Sequence, residues 1–209
     1  MDINCTNNNL NFKALHIANC GNLKLYKLTD KSDLNYIKEL PQKIKTENLM
    51  PNLSKDEYTR WDEMLQYAVD NAMYPENTTY LEAINNKPCG IITFFEDKIT
   101  ELDCICTWPI EFGKKVKLAG QTLFYQLFSD FEKIKGGKKI KLEAITNGPY
   151  DTVSKYKHLG FQQTDVLPTK VKMETTAPKV KTTLQNLSNT IQYEQVEPEK
   201  INLFTELEI

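Results

Sequence analysis

Two carboxylates, separated by a single residue, lie in the apolar segment Ile99–Thr107. If this segment is a β-strand, Glu101 and Asp103 share one face of it with Ile105. A carboxylate beside apolar walls has its pKa raised towards neutrality, where it can act as a general base in a cleft. A solvated strand face carries the same pattern. Both interpretations remain open on these residues alone.

The other face of this strand is expected to carry Leu102, Cys104, Cys106 and Trp108. Neither histidine of the chain, His16 or His158, is near enough in sequence to activate these thiols. Small core residues are therefore the favoured interpretation of the two cysteines. No second cysteine pair has metal-ligand spacing, so we expect no metal site.

A loop rich in glycine and lysine follows this strand, in the sequence PIEFGKKVKLAGQTLF. It leads into a strongly apolar helical pattern, and the N–H groups of a helix N-terminus form a natural anion site. The loop matches neither the Walker pattern nor G-x-G-x-x-G, which disfavours ATP and dinucleotides. A pyrophosphate remains compatible with it.

A third candidate is Tyr156, in the stretch SKYKHLGF. Gly160 is a typical glycine for leaving a helix through positive φ, and Phe161 is suited to open a buried strand. Packing near a helix end is the simplest interpretation of Tyr156.

The composition excludes several classes of protein. The 209 residues are 40% hydrophobic and 26% charged, with a net charge of −2, typical of one globular domain and not of a nucleic-acid-binding protein. No apolar run approaches the about 20 residues of a membrane span. The first residues lack the pattern of a secretory signal. Five cysteines without a disulfide framework are typical of a cytoplasmic protein.

The patterns predict the element order βααβββαβαβ. The first strand covers Leu23–Thr29, a helix follows until Pro41 interrupts it, and a capping box at Ser54 begins another. The later elements are two hairpin strands, a third strand, a long helix, a strand, a helix and a final strand, at Thr79–Ile84, Cys89–Phe95, Ile99–Thr107, Lys117–Ile134, Lys138–Ile145, Pro149–Gly160 and Lys170–Thr176. The strand–helix–strand unit between Ile99 and Ile145 predicts a parallel pair inside a mixed sheet.

Three regions are expected. Residues 1–22 are read as a loose arm, although FKALHIA is able to pair locally, and 23–176 as the main domain. Residues 177–209 are read as a helical appendage that Pro198 interrupts. Its helix is expected to pack on the domain or on a partner through one face, formed by Val180, Leu184, Leu187 and Ile191. A homodimer contact through it is left open.

Together these features resemble the general N-acetyltransferase (GNAT) superfamily. The resemblance covers about Leu23 to Thr175, and its most specific local match is Tyr156-x-x-x-Gly160-Phe161. It implies an α+β fold with a mixed, mostly antiparallel sheet splayed into a V, into which acetyl-CoA enters. Tyr156 would protonate the departing thiolate, Glu101 or Asp103 would accept a proton from the amine, and a backbone N–H of the central strand would polarise the thioester carbonyl. The implied cofactor-binding residues are Ile105, Cys106, Thr107, Lys115, Val116, Lys117, Leu118, Ala119, Gly120, Gln121, Thr122 and Asn147.

The sequence departs from the family pattern at two places. Leu118 stands where the phosphate-binding loop has its first glycine, with Lys115 at the basic position and Gly120 at the last. Leucine makes close backbone approach to a pyrophosphate harder unless its φ is negative. Pro149 stands where an asparagine is common, and Asn147 is the nearest substitute.

The expected function is transfer of an acetyl group from acetyl-CoA to a primary amine by direct attack. The alternative is a catalytically inactive GNAT-like domain that binds CoA, an acyl-CoA or a protein partner. Acceptor specificity is expected in Pro41–Trp61 and Asn85–Pro88, which carry no acidic cluster that would declare a polycationic substrate. A small-molecule amine and a protein N-terminus or lysine remain equally compatible.

Overall fold

The computed structural model describes residues 14–47, 49–50, 52–148 and 150–208. Its strands are β1 (Ala14–Cys20), β2 (Leu23–Lys27), β3 (Asn77–Ile84), β4 (Lys87–Phe95), β5 (Ile99–Thr107), β6 (Lys139–Ile145), β7 (Gln162–Val166), β8 (Lys170–Thr176) and β9 (Tyr193–Ile201). Its helices are α1 (Lys31–Glu47), α2 (Lys55–Ala72), α3 (Ala119–Lys133), α4 (Thr152–His158), α5 (Ala177–Ser188) and α6 (Leu203–Glu206).

The nine strands form one sheet in the order β7-β8-β6-β5-β4-β3-β2-β1-β9. The pair β5–β6, joined through α3, is parallel, and the other described pairs are antiparallel. This confirms the predicted mixed, mostly antiparallel sheet with a central βαβ unit. The β3–β4 hairpin turns at Asn85 and Asn86, which both have positive φ, a conformation that asparagine tolerates well.

Helices cover both faces of the sheet. Successive β4 residues point to opposite sides, so Ile92 packs with the apolar residues of α3 and α5 while Ile91 packs with those of α1 and α2. The long helix α3 contributes Leu123, Phe124 and Leu127 to the first core. The capping box at Ser54, formed with Glu57 as predicted, begins α2. No helix in the described ranges is long and apolar enough to cross a membrane.

A β-bulge interrupts the alternation of β5. Thr93 pairs with Cys104 but the next β4 residue, Phe94, pairs with Leu102, which leaves Asp103 without a partner across the strands. Leu102 therefore joins the core beneath α3, whereas Cys104 lies in the core beneath α1 and α2. The prediction that Leu102 shares a face with both cysteines is wrong, because an extra residue reverses the period of the strand.

The structure corrects the prediction for both ends of the chain. Ala14–Cys20, predicted to belong to a loose arm, form β1 between β2 and β9; residues 1–13 lie outside the described residues. The predicted element order omits β7, although Phe161 was expected to open a strand at this place, and it omits β9, which includes Pro198. Because β9 is an edge strand, one side needs no donors, and proline is tolerated there.

The helix α1 continues through Pro41, where the sequence predicts an interruption. Ile37, Leu40 and Ile44 remain buried on one face across the proline. We attribute the continuity to this apolar stripe, since tertiary packing overrides local propensity.

The C-terminal segment packs on the domain. Val180 and Leu187 of α5 are buried against the core that contains α3. Strand β9 is tied to α3 through Tyr193, whose hydroxyl donates to Gln126 Oε1 at 2.8 Å. Gln126 in turn donates to Asp130 Oδ2 at 3.0 Å, and Tyr80 of β3 donates to the same oxygen at 2.5 Å. This buried network joins α3 to the sheet and to the C-terminal strand; the homodimer contact remains an untested prediction.

The junction between α4 and α5 provides a direct test of this packing. Gly160 has a φ of +85°, and a Cβ there would lie 2.8 Å from Thr183 Oγ1 on α5. We expect Gly160→Ala to lower the free energy of unfolding by about 2–3 kcal/mol, combining left-handed strain of about 1–2 kcal/mol with the clash. Gly136→Ala is the matched control, since Gly136 has a φ of +78° and nothing within 4 Å. Equal losses for both variants in urea unfolding would contradict close packing of α5 at Gly160.

Candidate functional site

A cavity of about 1350 Å³ opens beside the second half of β5. The parallel ladder joins Ile99–Leu102 to Lys139–Leu142 and ends there, although both strands continue. The two strands separate beyond this point, as the V-shaped sheet predicts. The cavity is lined by the rest of β5, the loop into α3 and the start of that helix, the end of β6, α4 and part of α5. On the other side it is lined by the loop before α2 and by α2 between Arg60 and Met64.

The backbone of β5 presents free polar groups to this cavity. Trp108 N donates to Cys89 O at 2.9 Å, so Trp108, Cys106 and Cys104 direct their backbone groups to β4. Since successive residues of an antiparallel strand alternate, Ile105 and Thr107 direct theirs to the opposite, open side. Thr107 O accepts a bond of 3.4 Å from Trp61 Nε1 on α2. The Ile105 N–H is therefore a free donor on the open side of β5, of the kind that can stabilise an oxyanion.

The loop before α3 forms a second set of donors. The first intrahelical bond runs from Thr122 N to Leu118 O at 2.8 Å. The preceding N–H groups of α3, those of Ala119, Gly120 and Gln121, therefore point out of the helix. All three residues line the cavity, which gives it the anion-binding character of a helix N-terminus.

Leu118 has the backbone conformation of a glycine. Its φ is 67° and its ψ −7°, so it caps α3 in the left-handed region. A leucine here would allow close backbone approach of a pyrophosphate only with a negative φ. Leu118 does not meet that condition. The loop keeps the turn that a glycine would provide, at a cost of about 1–2 kcal/mol. Such strain persists only where surrounding structure holds it, and it often accompanies function.

Two lysines flank the anion side of the cavity. Lys155 Nζ lies 4.6 Å and Lys115 Nζ 5.4 Å from the centre of the Tyr150 ring. The pKa of Lys155 is lowered, first by burial and then by the charge of Lys115. An anion bound between the two ammonium groups would relieve this repulsion. Sequence reasoning identified Lys115 but missed Lys155, which directly precedes Tyr156, and Tyr150.

Tyr156 lines the cavity near the start of α3. Its ring contacts Phe124 edge to face, with centroids 5.6 Å apart. Burial raises the pKa of its phenol, and the nearby thiols of Cys104 and Cys106 raise it further. The phenol is therefore protonated at neutral pH and available as a proton donor. Burial raises the pKa of Cys104 to about 12, so this thiol is a poor nucleophile.

The structure separates the two carboxylates of β5. Asp103, at the bulge, lines the cavity, while Glu101 is exposed and does not. Burial and, to a smaller extent, the charge of Glu101 raise the pKa of Asp103 to about 6, although a hydrogen bond from the Asn77 side chain partly offsets the rise. Asp103 Oδ2 is buried and accepts no hydrogen bond within the described part of the chain. Asp103 is thus the better placed base.

Most of the predicted cofactor-binding residues line this one cavity. They are Ile105, Cys106, Thr107, Lys115, Val116, Leu118, Ala119, Gly120, Gln121 and Asn147. Lys117 and Thr122 do not line it, and Cys106 uses its backbone in the β4 ladder. Among the described residues, no group of three or more histidine, cysteine or acidic side chains is placed to hold a metal ion.

The chain matches no protein-family model and no curated protein by sequence. Its structure, however, superposes on several solved acetyltransferases. The PaiA N-acetyltransferase from Thermoplasma acidophilum, in complex with coenzyme A, is 16% identical with a TM-score of 0.51, covering 74% of this chain and 98% of that one. The chain has the GNAT fold.

Two further structures with the GNAT fold extend the comparison. FdhC, described as a nucleotide-linked sugar GNAT, is 15% identical with a TM-score of 0.51 and covers 86% of this chain and 97% of its own. A spermidine N-acetyltransferase from Vibrio cholerae, in complex with CoA and spermine, is 17% identical with a TM-score of 0.50 and covers 76% and 98%. These two proteins share the GNAT fold, although the ligands in their descriptions differ in chemistry.

The raised pKa of Asp103 predicts a pH-dependent effect on stability. The folded pKa of about 6 lies above the ordinary value of 3.8, so the stability that protonation provides is complete below pH 4 and is lost as pH rises through about 6. Asp103→Asn should therefore raise the melting temperature above pH 6 and leave it unchanged below pH 4. Glu132→Gln, at an exposed carboxylate of α3, is the control and should leave the melting temperature unchanged at both pH values. A gain of equal size at both pH values would contradict the placement of Asp103.

Proposed function

We propose that this protein is an N-acetyltransferase that moves an acetyl group from acetyl-CoA to a primary amine. The observation that carries the proposal is the convergence of three features on one cavity. These are the outward N–H groups of α3 beside Lys115 and Lys155, the free N–H of Ile105, and the protonated phenol of Tyr156.

The residues on the anion side fit the pyrophosphate of acetyl-CoA. The amides of Ala119, Gly120 and Gln121 would donate to its oxygens, since a helix N-terminus favours negative charge. Lys115 and Lys155 would balance the charge from the other side. The thioester would then extend along the open edge of β5, where Ile105 and Thr107 present backbone groups that β6 does not use.

The chemistry follows from these positions. Asp103 accepts a proton from the ammonium form of the acceptor, and the free amine nitrogen attacks the thioester carbonyl. The Ile105 N–H donates to the developing oxyanion. A carbon–nitrogen bond forms and the carbon–sulfur bond breaks, with the electron pair leaving on sulfur. Tyr156 donates its proton to that thiolate, and the proton lost by the tetrahedral nitrogen restores the phenol through solvent.

Cofactor binding is tested by thermal melting with acetyl-CoA, CoA and ATP. Binding to the native state at a hundredfold excess over Kd stabilises by about 2.7 kcal/mol, a shift of about 5–10 °C for a chain of this size. We expect this shift with both CoA species and none with ATP. Gly120→Trp should abolish it, because an indole would fill the space in front of the helix N-terminus.

Gly120→Ala is the matched control for this experiment. A Cβ at Gly120 meets only Thr107 Cγ2, at 3.9 Å, so the alanine variant should keep the shift. Loss of the shift in both variants would contradict the cofactor site. Absence of a shift in the wild type itself would contradict it as well. A shift without turnover would instead favour a GNAT-like domain that only binds CoA, for which Leu118 in the phosphate loop is the supporting observation.

Tyr156→Phe tests the proton donor. The phenylalanine keeps the ring contact with Phe124 but cannot protonate the thiolate. We expect kcat to fall about 10²-fold, in line with loss of a general acid, while the melting shift with CoA is retained. The readout is release of free CoA thiol; an unchanged kcat would exclude Tyr156 as the donor.

A further inference from the structure

The part of the cavity away from the start of α3 is the region where an acceptor amine would bind. This region is lined by the loop before α2, by α2 itself and by the residues after β5. The lining residues there are Leu49, Met50, Asn52, Leu53, Arg60, Trp61, Glu63, Met64, Trp108 and Pro109. We refer to them as the acceptor wall.

The acceptor wall is predominantly apolar. Leu49, Met50, Trp61 and Trp108 are buried in the core beneath α1 and α2, so their side chains are fixed by packing. The indole N–H of Trp61 already donates to Thr107 O. Asn52 is the single uncharged amide side chain of the wall. A ligand held here must itself be largely apolar, since polar groups without partners would be costly to bury.

The charges of the cavity point to a single cation. Three carboxylates line it: Glu63, Asp103 and Glu143. Glu63 is paired with Arg60 at 3.0 Å, and Glu143 forms an ion pair with Lys170. In the described residues no ion pair involves Asp103, and its Oδ2 has no hydrogen-bond partner. One ammonium group is therefore matched by one available carboxylate.

An extended polyamine would find a carboxylate partner for only one of its ammonium groups. The Arg60–Glu63 pair lies at the rim, with side chains 49% and 57% exposed, and its charges are already balanced. On the cofactor side lie the ammonium groups of Lys115 and Lys155, which repel a second ammonium group. A peptide N-terminus would bring further N–H and C=O groups against the apolar wall, where few partners exist.

Resting on the proposed acetyltransferase function, we propose that the acceptor is a small primary monoamine with an apolar, arylalkyl body. Its ammonium group pairs with Asp103, and its body lies against Met50, Trp61 and Met64. This assignment distinguishes among acceptors that the fold alone leaves open.

The experiment compares three amines by acetylation with acetyl-CoA: phenethylamine, spermidine and a short peptide with a free N-terminal alanine. We expect kcat/KM to be at least about tenfold higher for phenethylamine, corresponding to about 1.4 kcal/mol of discrimination. A preference for spermidine or for the peptide would overturn the acceptor assignment and leave the acetyltransferase function intact.

Two variants make the test specific. Met64→Glu introduces a carboxylate into the wall and should reduce kcat/KM for phenethylamine about tenfold while improving that for spermidine. Met73→Glu is the matched control, because Met73 lies outside the cavity, is 39% exposed and follows the last turn of α2. It should leave the ratio of the two amines unchanged. Equal effects of both variants would contradict contact between the acceptor and Met64.

A binding measurement covers the case of no turnover. With CoA present, phenethylamine should raise the melting temperature of the wild type but not of Asp103→Asn. If CoA shifts the melting temperature and phenethylamine does not, the acceptor proposal fails while the cofactor site stands. If CoA itself produces no shift, the proposed function fails first, and the two failures are thereby separated.

Discussion

The site depends on the point at which β5 and β6 stop pairing. Their parallel ladder ends at Leu102 and Leu142, and the bulge at Asp103 lies at the next residue of β5. From there onward β6 no longer pairs with β5, and this side of β5 is open. Backbone donors that a closed sheet would consume become available to a ligand, and Asp103 is turned towards the same space. A continuous ladder would remove the cavity, the free amides and the access to the carboxylate together.

The close approach of α3 to the sheet maintains this arrangement. A Cβ at Gly90 of β4 would lie 3.0 Å from Leu123 Cδ1 and 3.2 Å from Glu82 Oε2, so the glycine permits a close approach of α3 to the strand. Glu82 beneath it is fully buried, and burial raises its pKa well above the ordinary value. Helix α3 begins at Ala119, directly after the left-handed backbone of Leu118. The packing of the helix thus helps to hold the left-handed backbone of Leu118.

The sequence predicts the parts of this fold that depend on local periodicity. The long apolar stripe of α3, the Asn85–Asn86 turn and the strand-like runs of β4 and β5 each specify one element, and the βαβ unit follows from their order. The bulge could not be predicted, since its extra residue satisfies no local pattern and is selected by pairing with β4. Strands β1 and β9 pair with each other although they lie near opposite ends of the sequence. No local signal specifies a pair so far apart in sequence. Lys155 was missed for a similar reason: only the folded structure places it beside Lys115, forty residues earlier in the chain.

The most direct test of this account is amide hydrogen exchange with and without CoA, resolved to single residues. The structure predicts that CoA slows exchange at Ile105 and Thr107 of β5 and at Ala119, Gly120 and Gln121 of α3. Strand β7, at the far edge of the sheet, serves as the internal control and should not change. Binding that protects other segments and leaves these five amides unaffected would contradict the claim that the open edge of β5 and the start of α3 form the cofactor site.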